Sequence, residues 1–262
     1  MALIVLVAGL LGLGLGSFAN VVIYRVPAGE SVVHPRSACP KCGHPIRSRH
    51  NIPVLSWLWL RRQCADCGAP ISARYPLVEL GTAVAFALIV GLNGFQWSTL
   101  LLLVFAYGGI ILTAVDLDTM RLPNVLVGVL AIAAVASIIL AAGFGDQWPD
   151  ALRALIGAAL LGLFYFVAWF FYPKGMGFGD VKLAPVVGAT LAFFGWPQLI
   201  VGGFFAFVWG AIAGVLVMIV SKRVKQVKIP FGPWMFAGAW TGIILGQQVS
   251  DWYLGVVLST ST

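Results

Sequence analysis

Long apolar runs alternate with short polar joints along this 262-residue chain. Eight runs, at about 2–23, 77–93, 98–115, 123–143, 151–172, 181–196, 199–220 and 232–257, approach the ~20 apolar residues that a membrane-crossing helix needs. The pattern predicts an all-α polytopic membrane protein with about eight transmembrane helices. Gly9, Gly12, Gly14 and Gly16 lie inside the first run with no strand before them, so they read as close helix packing rather than as a nucleotide loop. One segment breaks the rhythm. Residues 24–76 are polar, basic and rich in Pro, Ser and Cys, too polar to span and too long for a tight turn. The expected organisation is a first transmembrane helix over 1–23, a small cytoplasmic domain over 24–76 and a transmembrane core over 77–262.

Composition agrees with the pattern. Hydrophobic residues make up 60% of the chain and charged ones 10%, against about 25% charged in soluble domains. A net charge of +7 on a soluble protein would point to nucleic acid. Here the charge sorts by membrane side. With the N-terminus outside, all of the 16 Lys and Arg except Arg153 fall on the inner side, as the positive-inside rule requires. The expected partner is therefore the lipid bilayer and not nucleic acid, and the expected location a membrane crossed several times, with the N-terminus outside. No Lys or Arg precedes Arg25, so the first run lacks the basic n-region of a cleaved signal peptide and is read as a retained helix.

All four cysteines fall in 24–76, as Cys39-Pro-Lys-Cys42-Gly-His-Pro-Ile and Cys64-Ala-Asp-Cys67-Gly-Ala-Pro-Ile. Each Cys-x-x-Cys-Gly turn aims two thiolates at one point. Two such turns suit a tetrahedral Zn2+ site held by Cys39, Cys42, Cys64 and Cys67. Four thiolates leave no open coordination position, so the role expected of the metal is structural. Disulfides are the alternative, disfavoured in a reducing compartment. A redox pair is another, but neither motif adjoins a βαβ pattern. With four thiolates available, His34, His44 and His50 are surplus to the metal and read as solvated or outer-shell groups.

Acidic residues are few, nine in all, and those beside apolar runs need a reason to be there. Asp116 closes the apolar run before Leu117-Asp118-Thr119-Met120-Arg121-Leu122-Pro123. Asp180 ends Gly175-Met176-Gly177-Phe178-Gly179-Asp180, whose alternating glycines leave bare backbone that a substrate strand can approach. Two predicted helices separate Asp116 from Asp180, which places both at the same membrane face. Two carboxylates meeting at one depth can share a proton and act as general base and general acid. Interfacial helix caps, or a proton relay in a transporter, are the competing readings of the same residues.

Taken in order, these motifs resemble the type IV prepilin peptidases, membrane aspartyl proteases of the Gly-x-Gly-Asp kind. The resemblance covers almost the whole chain. It rests on Gly16-Ser17-Phe18-Ala19-Asn20, the two cysteine turns, Asn51-Ile52-Pro53 with Ser56-Trp57-Leu58, and Arg74-Tyr75-Pro76-Leu77-Val78-Glu79. It continues through the Asp116–Pro123 stretch, Gly177-Phe178-Gly179-Asp180 and Pro230-Phe231-Gly232-Pro233. The resemblance implies Asp116 and Asp180 as catalytic residues, with Asp118 as the alternative to Asp116. It implies prepilins or pseudopilins as substrates, their basic leader cut at the cytoplasmic face after a Gly. It further implies N-methylation of the new N-terminus from S-adenosylmethionine, with the polar segment and its flanks involved. Glu79 stands open between a structural and a methylation role. Two positions depart from the family pattern: Arg62 follows Arg61 where the family has Gly, and His50 precedes Asn51 where an acid is usual. A proton-coupled transporter and a scaffold of the pilus machine remain the competing functions.

Overall fold

The computed structural model describes residues 1–221 and 229–259. The basic loop 222–228, which supplies four of the inner-side charges expected from sequence, lies outside the described residues. Nine α-helices are described: α1 (Ala2–Ala28), α2 (Leu55–Trp59), α3 (Arg74–Asn93), α4 (Trp97–Thr119), α5 (Asn124–Gly145), α6 (Trp148–Phe171), α7 (Phe178–Phe194), α8 (Trp196–Ser221) and α9 (Gly232–Ser259). A 3-10 turn, Ser48–His50, joins them, and no strand occurs among the described residues. The fold is all-helical, as the apolar runs require. Among the described residues, six helices are long and apolar enough to cross a bilayer: α1, α3, α4, α5, α6 and α8. At 17 residues, α7 is about 26 Å long, short of the ~30 Å hydrocarbon core. The last helix carries Gln247, Gln248, Ser250 and Asp251 in its second half, which lowers its apolarity.

The chain divides into two compact units, Met1–Ile111 and Leu112–Thr262. In the first, α1 packs along α3 through glycines. A Cβ on Gly12 would lie 2.8 Å from the Thr82 carbonyl oxygen, and one on Gly16 would lie 2.7 Å from the Glu79 Cα. Hydrocarbon gives helices no hydrophobic reason to associate, so close backbone contact supplies the attraction instead. Nothing touches the Gly14 position, so the packing reading applies to part of that series. Phe86 and Tyr107 meet edge to face beside Ala8 and Val90. The first helix runs five residues past its expected end, through Pro27, and stops at Gly29 in the left-handed region (φ 73). The sequence placed the end of this run at residue 23, where the polar, basic segment begins. Here the Arg25 guanidinium stays buried and donates to the Ser31 and Arg36 carbonyls.

In the second unit, α7 is the centre. Eleven of its residues are buried. It touches α6 so closely that a Cβ on Gly157 would lie 2.7 Å from the Gly188 carbonyl oxygen. The end of α7 also explains the one basic residue that breaks the charge sorting. Arg153 donates to the carbonyls of Ala192 and Phe193 and pairs with Asp150 at 2.8 Å. Those carbonyls are among the four that every helix C-terminus leaves without an intrahelical donor. Replacing Arg153 by Met keeps the stem and orphans them, with an expected cost of about 1–3 kcal/mol. Thermal unfolding in detergent checks this, and Arg153→Lys should recover part of the loss.

Candidate functional site

The second unit holds the acidic site. Asp116 sits in the last turn of α4 and Asp180 in the first turn of α7. Both are buried, at 4% and 6% exposure, whereas Asp118 is exposed. Helical geometry explains the contrast, since positions two apart point away from each other on a helix. The Asp116 Oδ2 accepts the Gly232 backbone N–H at 2.9 Å, a buried bond between residues 116 positions apart. Gly177 caps the start of α7, and the Asp180 N–H bonds the Gly177 carbonyl at 3.1 Å. Leu122 links the two elements: a Cβ on Gly179, beside Asp180, would lie 3.0 Å from its Cβ, and one on Gly232, beside Asp116, 3.4 Å from its Cδ2. Lys182 does not serve as a counter-charge here: its ammonium donates to the Asn124 Oδ1 at 2.6 Å and lies over the Phe178 ring.

The glycines around this pair have defined duties. A Cβ on Gly232 would lie 2.8 Å from the Asp116 Oδ2, and one on Gly177 would lie 3.3 Å from the Asp180 Oδ2. One on Gly179 would meet the Leu122 Cβ at 3.0 Å. The expectation that these glycines merely bare the backbone to a substrate is thus refined, because Gly179 admits Leu122 of the protein itself. Gly232 was visible in the sequence only as part of a Pro-Phe-Gly-Pro string. Its partnership with Asp116 was not legible, because nothing in the string points to a residue so far away.

The first unit holds the cysteines. The four sulfurs lie within 4.8 Å of one another, and Cys39 and Cys67 are 3.9 Å apart. A tetrahedron with metal–sulfur bonds of about 2.3 Å has edges of about 3.8 Å, so the four sulfurs can hold a tetrahedral metal ion. Two near-identical knuckles present them. In the first, Cys39 N–H bonds the His44 carbonyl, Gly43 N–H bonds the Cys39 carbonyl, and Gly43 is left-handed (φ 72). In the second, Cys64 bonds Ala69, Gly68 bonds Cys64, and Gly68 is left-handed (φ 70). The internal repeat in the sequence is thus a repeat in backbone conformation, and glycine takes the left-handed position at no steric cost. The backbone N–H groups of Cys42 and Lys41 hold the Cys39 thiol down at about 6. At Cys67 the Ala69 backbone also lowers the value, but desolvation and the neighbouring sulfurs outweigh it and raise the thiol to about 12. Without a cation, four thiolates cannot gather; a divalent ion removes that conflict.

Glu79 is buried in α3 and reaches this module. Its Oε2 accepts the Val54 N–H at 2.7 Å, and the Ser17 hydroxyl is a second partner. Val54 has φ 60, an outlier for a β-branched residue whose cost is about 1–3 kcal/mol. Arg62 is also left-handed (φ 65), at the position where the related pattern has Gly, and its guanidinium stacks 4.9 Å over Trp57.

Residues 10–92 match the bacterial peptidase A24 N-terminal domain, and residues 103–219 match the type IV leader peptidase family. A prepilin leader peptidase/N-methyltransferase of Aeromonas salmonicida (strain A449) is 34% identical over 95% of this chain and 93% of its own. Proteins of the same name from Pseudomonas aeruginosa and Neisseria gonorrhoeae are 34% and 37% identical, each over 94% of this chain and 91% of its own. No solved structure matches the chain. With similarity running nearly end to end through both the cysteine module and the paired aspartates, the chain belongs to the type IV leader peptidase family.

Proposed function

We propose that this protein is a membrane aspartic endopeptidase that cuts the basic leader from type IV prepilins and pseudopilins and then N-methylates the new N-terminal residue. The observation that carries the peptidase assignment is the burial of Asp116 and Asp180 in one unit, with Asp116 fixed by the Gly232 N–H and Leu122 packed beside both Gly179 and Gly232. One ionised carboxylate takes a proton from water, whose oxygen attacks the scissile carbonyl. The other, protonated, hydrogen-bonds the carbonyl oxygen. As the tetrahedral intermediate collapses, a proton passes to the departing amine, so that one water is consumed and both carboxyls are restored. Asp118, exposed to solvent, is poorly placed for this shared proton.

The protein is a multi-pass inner-membrane protein. The sorting of Lys and Arg favours an N-terminus outside and both the dyad and the 24–76 module at the cytoplasmic face. That module is organised by Zn2+ bound to Cys39, Cys42, Cys64 and Cys67, the metal that an all-thiolate tetrahedron favours. S-adenosylmethionine supplies an electrophilic methyl group when bound. The nitrogen of the new N-terminus takes that methyl and loses a proton, and the donor's sulfur keeps the bonding pair.

Purified protein in detergent, given a prepilin and S-adenosylmethionine, should yield a product lighter by the leader and heavier by one methyl group in the mass spectrum. A product lighter by the leader alone would remove the methyltransferase. An uncut prepilin would remove the peptidase and leave the transporter or scaffold readings.

Gly232 gives a test of positioning. Gly232→Ala places a methyl group against the Asp116 carboxylate. A displacement of about 1 Å can cost about 100-fold in rate, so cleavage should fall by about that factor. Substrate affinity and thermal stability should change much less. An unaltered cleavage rate in Gly232→Ala would show that the Gly232 contact does not position Asp116.

A further inference from the structure

The short helix α2 lies in the polar segment, yet its outer face is apolar. Ser56 is buried, its hydroxyl accepting the Ile52 N–H at 2.8 Å and donating to the Arg49 carbonyl at 3.2 Å. Leu55, Leu58 and Trp59 point the other way and are 62%, 59% and 76% exposed. Their spacing of three and four residues puts them on one helical face. Exposed Arg61 and Arg62 follow directly. Both are left-handed (φ 51 and φ 65), so the chain turns sharply as the helix ends, and Arg62 stands 4.9 Å over the Trp57 ring.

The height of this face relative to the bilayer is set within the first unit. At 20 residues α3 is about 30 Å long, the thickness of the hydrocarbon core, so its start at Arg74 marks the core boundary. Two hydrogen bonds pin α2 beside that start. The Val54 N–H, at the beginning of α2, reaches Glu79 in the second turn of α3 at 2.7 Å. The Trp57 Nε1 donates at 3.1 Å to the carbonyl of Ile71, three residues before α3 begins. The exposed apolar face thus stands at the level where acyl chains give way to headgroups. Tryptophan favours that level, and a guanidinium there meets phosphate oxygens.

We propose that α2 is an interfacial anchor. Leu55, Leu58 and Trp59 enter the headgroup–acyl boundary of the leaflet beside Arg74, and Arg61 and Arg62 bind lipid phosphates. Segments of this kind bind through buried apolar area plus attraction to the headgroups. The cysteine module is then seated on the membrane instead of hanging free in water. Glu79 sets the height of the seat through Val54, a use for a buried carboxylate that the sequence left open. Arg62, where the related pattern has Gly, adds a second guanidinium to the contact. A protein partner would have to displace lipid from a face already at headgroup depth, so the bilayer is the occupant that fits.

The test places a nitroxide at Leu58→Cys in the full-length, metal-loaded protein, held in nanodiscs of phosphatidylethanolamine and phosphatidylglycerol. Leu55→Cys carries the label in a second variant. Wild type treated alike gives the background from the native cysteines, and unchanged metal content shows that the module is intact. Both labels should collide with dissolved oxygen and be shielded from a water-soluble nickel chelate. Replacing Arg61 and Arg62 by Gln should raise the nickel-accessible population by about fivefold for each guanidinium removed. Nickel collisions as free as for a nitroxide in water, at both positions, would overturn the anchor. Shielding that appears only when a prepilin is added would assign the face to the substrate, and dipolar broadening between labels would assign it to a second copy; either overturns the proposal. Unchanged shielding in the Arg61→Gln, Arg62→Gln variant would remove the arginines from the contact.

Discussion

Asp116→Asn and Asp180→Asn should each lower the rate of leader removal by at least about 1,000-fold while leaving the protein folded. General acid–base catalysis by one group is worth about 100- to 10,000-fold. On the proposed mechanism the two carboxyls act on one water and one carbonyl, so loss of either would disable the pair. Their effects should therefore not add: the double variant should be about as slow as either single one. Asparagine keeps the shape of the side chain and can still meet the Gly232 N–H through its amide oxygen, so packing should survive. It cannot take a proton from water. A KM near that of the wild type would place the loss in the chemical step, whereas a raised KM with an unchanged kcat would assign these residues to substrate binding. A transporter or scaffold role for the same residues predicts no change in cleavage, because it predicts no cleavage.

Removing the metal should produce the second large effect. Between the end of α1 and the start of α3, the 24–76 segment contains one short helix, a 3-10 turn and two isolated bridges, Ala38 with Pro45 and Gln63 with Pro70. So little regular structure cannot offset the backbone entropy of ordering about 50 residues, which is of order 1–2 kcal/mol for each. Structural zinc sites supply an apparent 10–16 kcal/mol in isolated fingers, enough to decide whether such a segment folds. Stripping the metal with a chelator, or replacing Cys42 by Ser, should make 24–76 sensitive to protease. Zinc affinity should fall by more than about 100-fold, the upper end of what loss of a mere outer-shell partner costs. Elemental analysis and limited proteolysis check both points. Affinity should also fall as pH falls, since protons compete with the metal for the thiolates. Full protease resistance after metal loss would mean that the Glu79–Val54 and Trp57–Ile71 hydrogen bonds hold the segment without it.

How much of this was legible in the sequence follows from the range of the interactions. The knuckles were readable because Cys, Gly and their spacing act within eight residues, and the left-handed Gly43 and Gly68 are local requirements. Helix existence was readable for the same reason, since an apolar run of sufficient length has few alternatives in lipid. Topology was the signal that paired the aspartates in the sequence, since an even number of expected helices would return the chain to one face, and the structure buries both in one unit. Three features were hidden because they join distant residues. The Gly232–Asp116 bond spans 116 positions, and Arg153 caps α7 some 40 positions away. Glu79, left open between two roles, is tied to a strained residue 25 positions earlier. The end of α1 was misplaced for a different reason. A polar, basic segment was expected to start at residue 24, but Arg25 donates to two loop carbonyls and the helix continues to Ala28.

The measurement that bears most directly on the central claim is a time course of leader removal from one prepilin, read by mass spectrometry, with wild type, Asp116→Asn, Asp118→Asn and Asp180→Asn side by side. The account predicts cleavage by the wild type and by Asp118→Asn at comparable rates, and intact prepilin with the other two. Cleavage by Asp116→Asn together with its loss in Asp118→Asn would contradict the account, because the exposed carboxylate rather than the buried one would then carry the reaction.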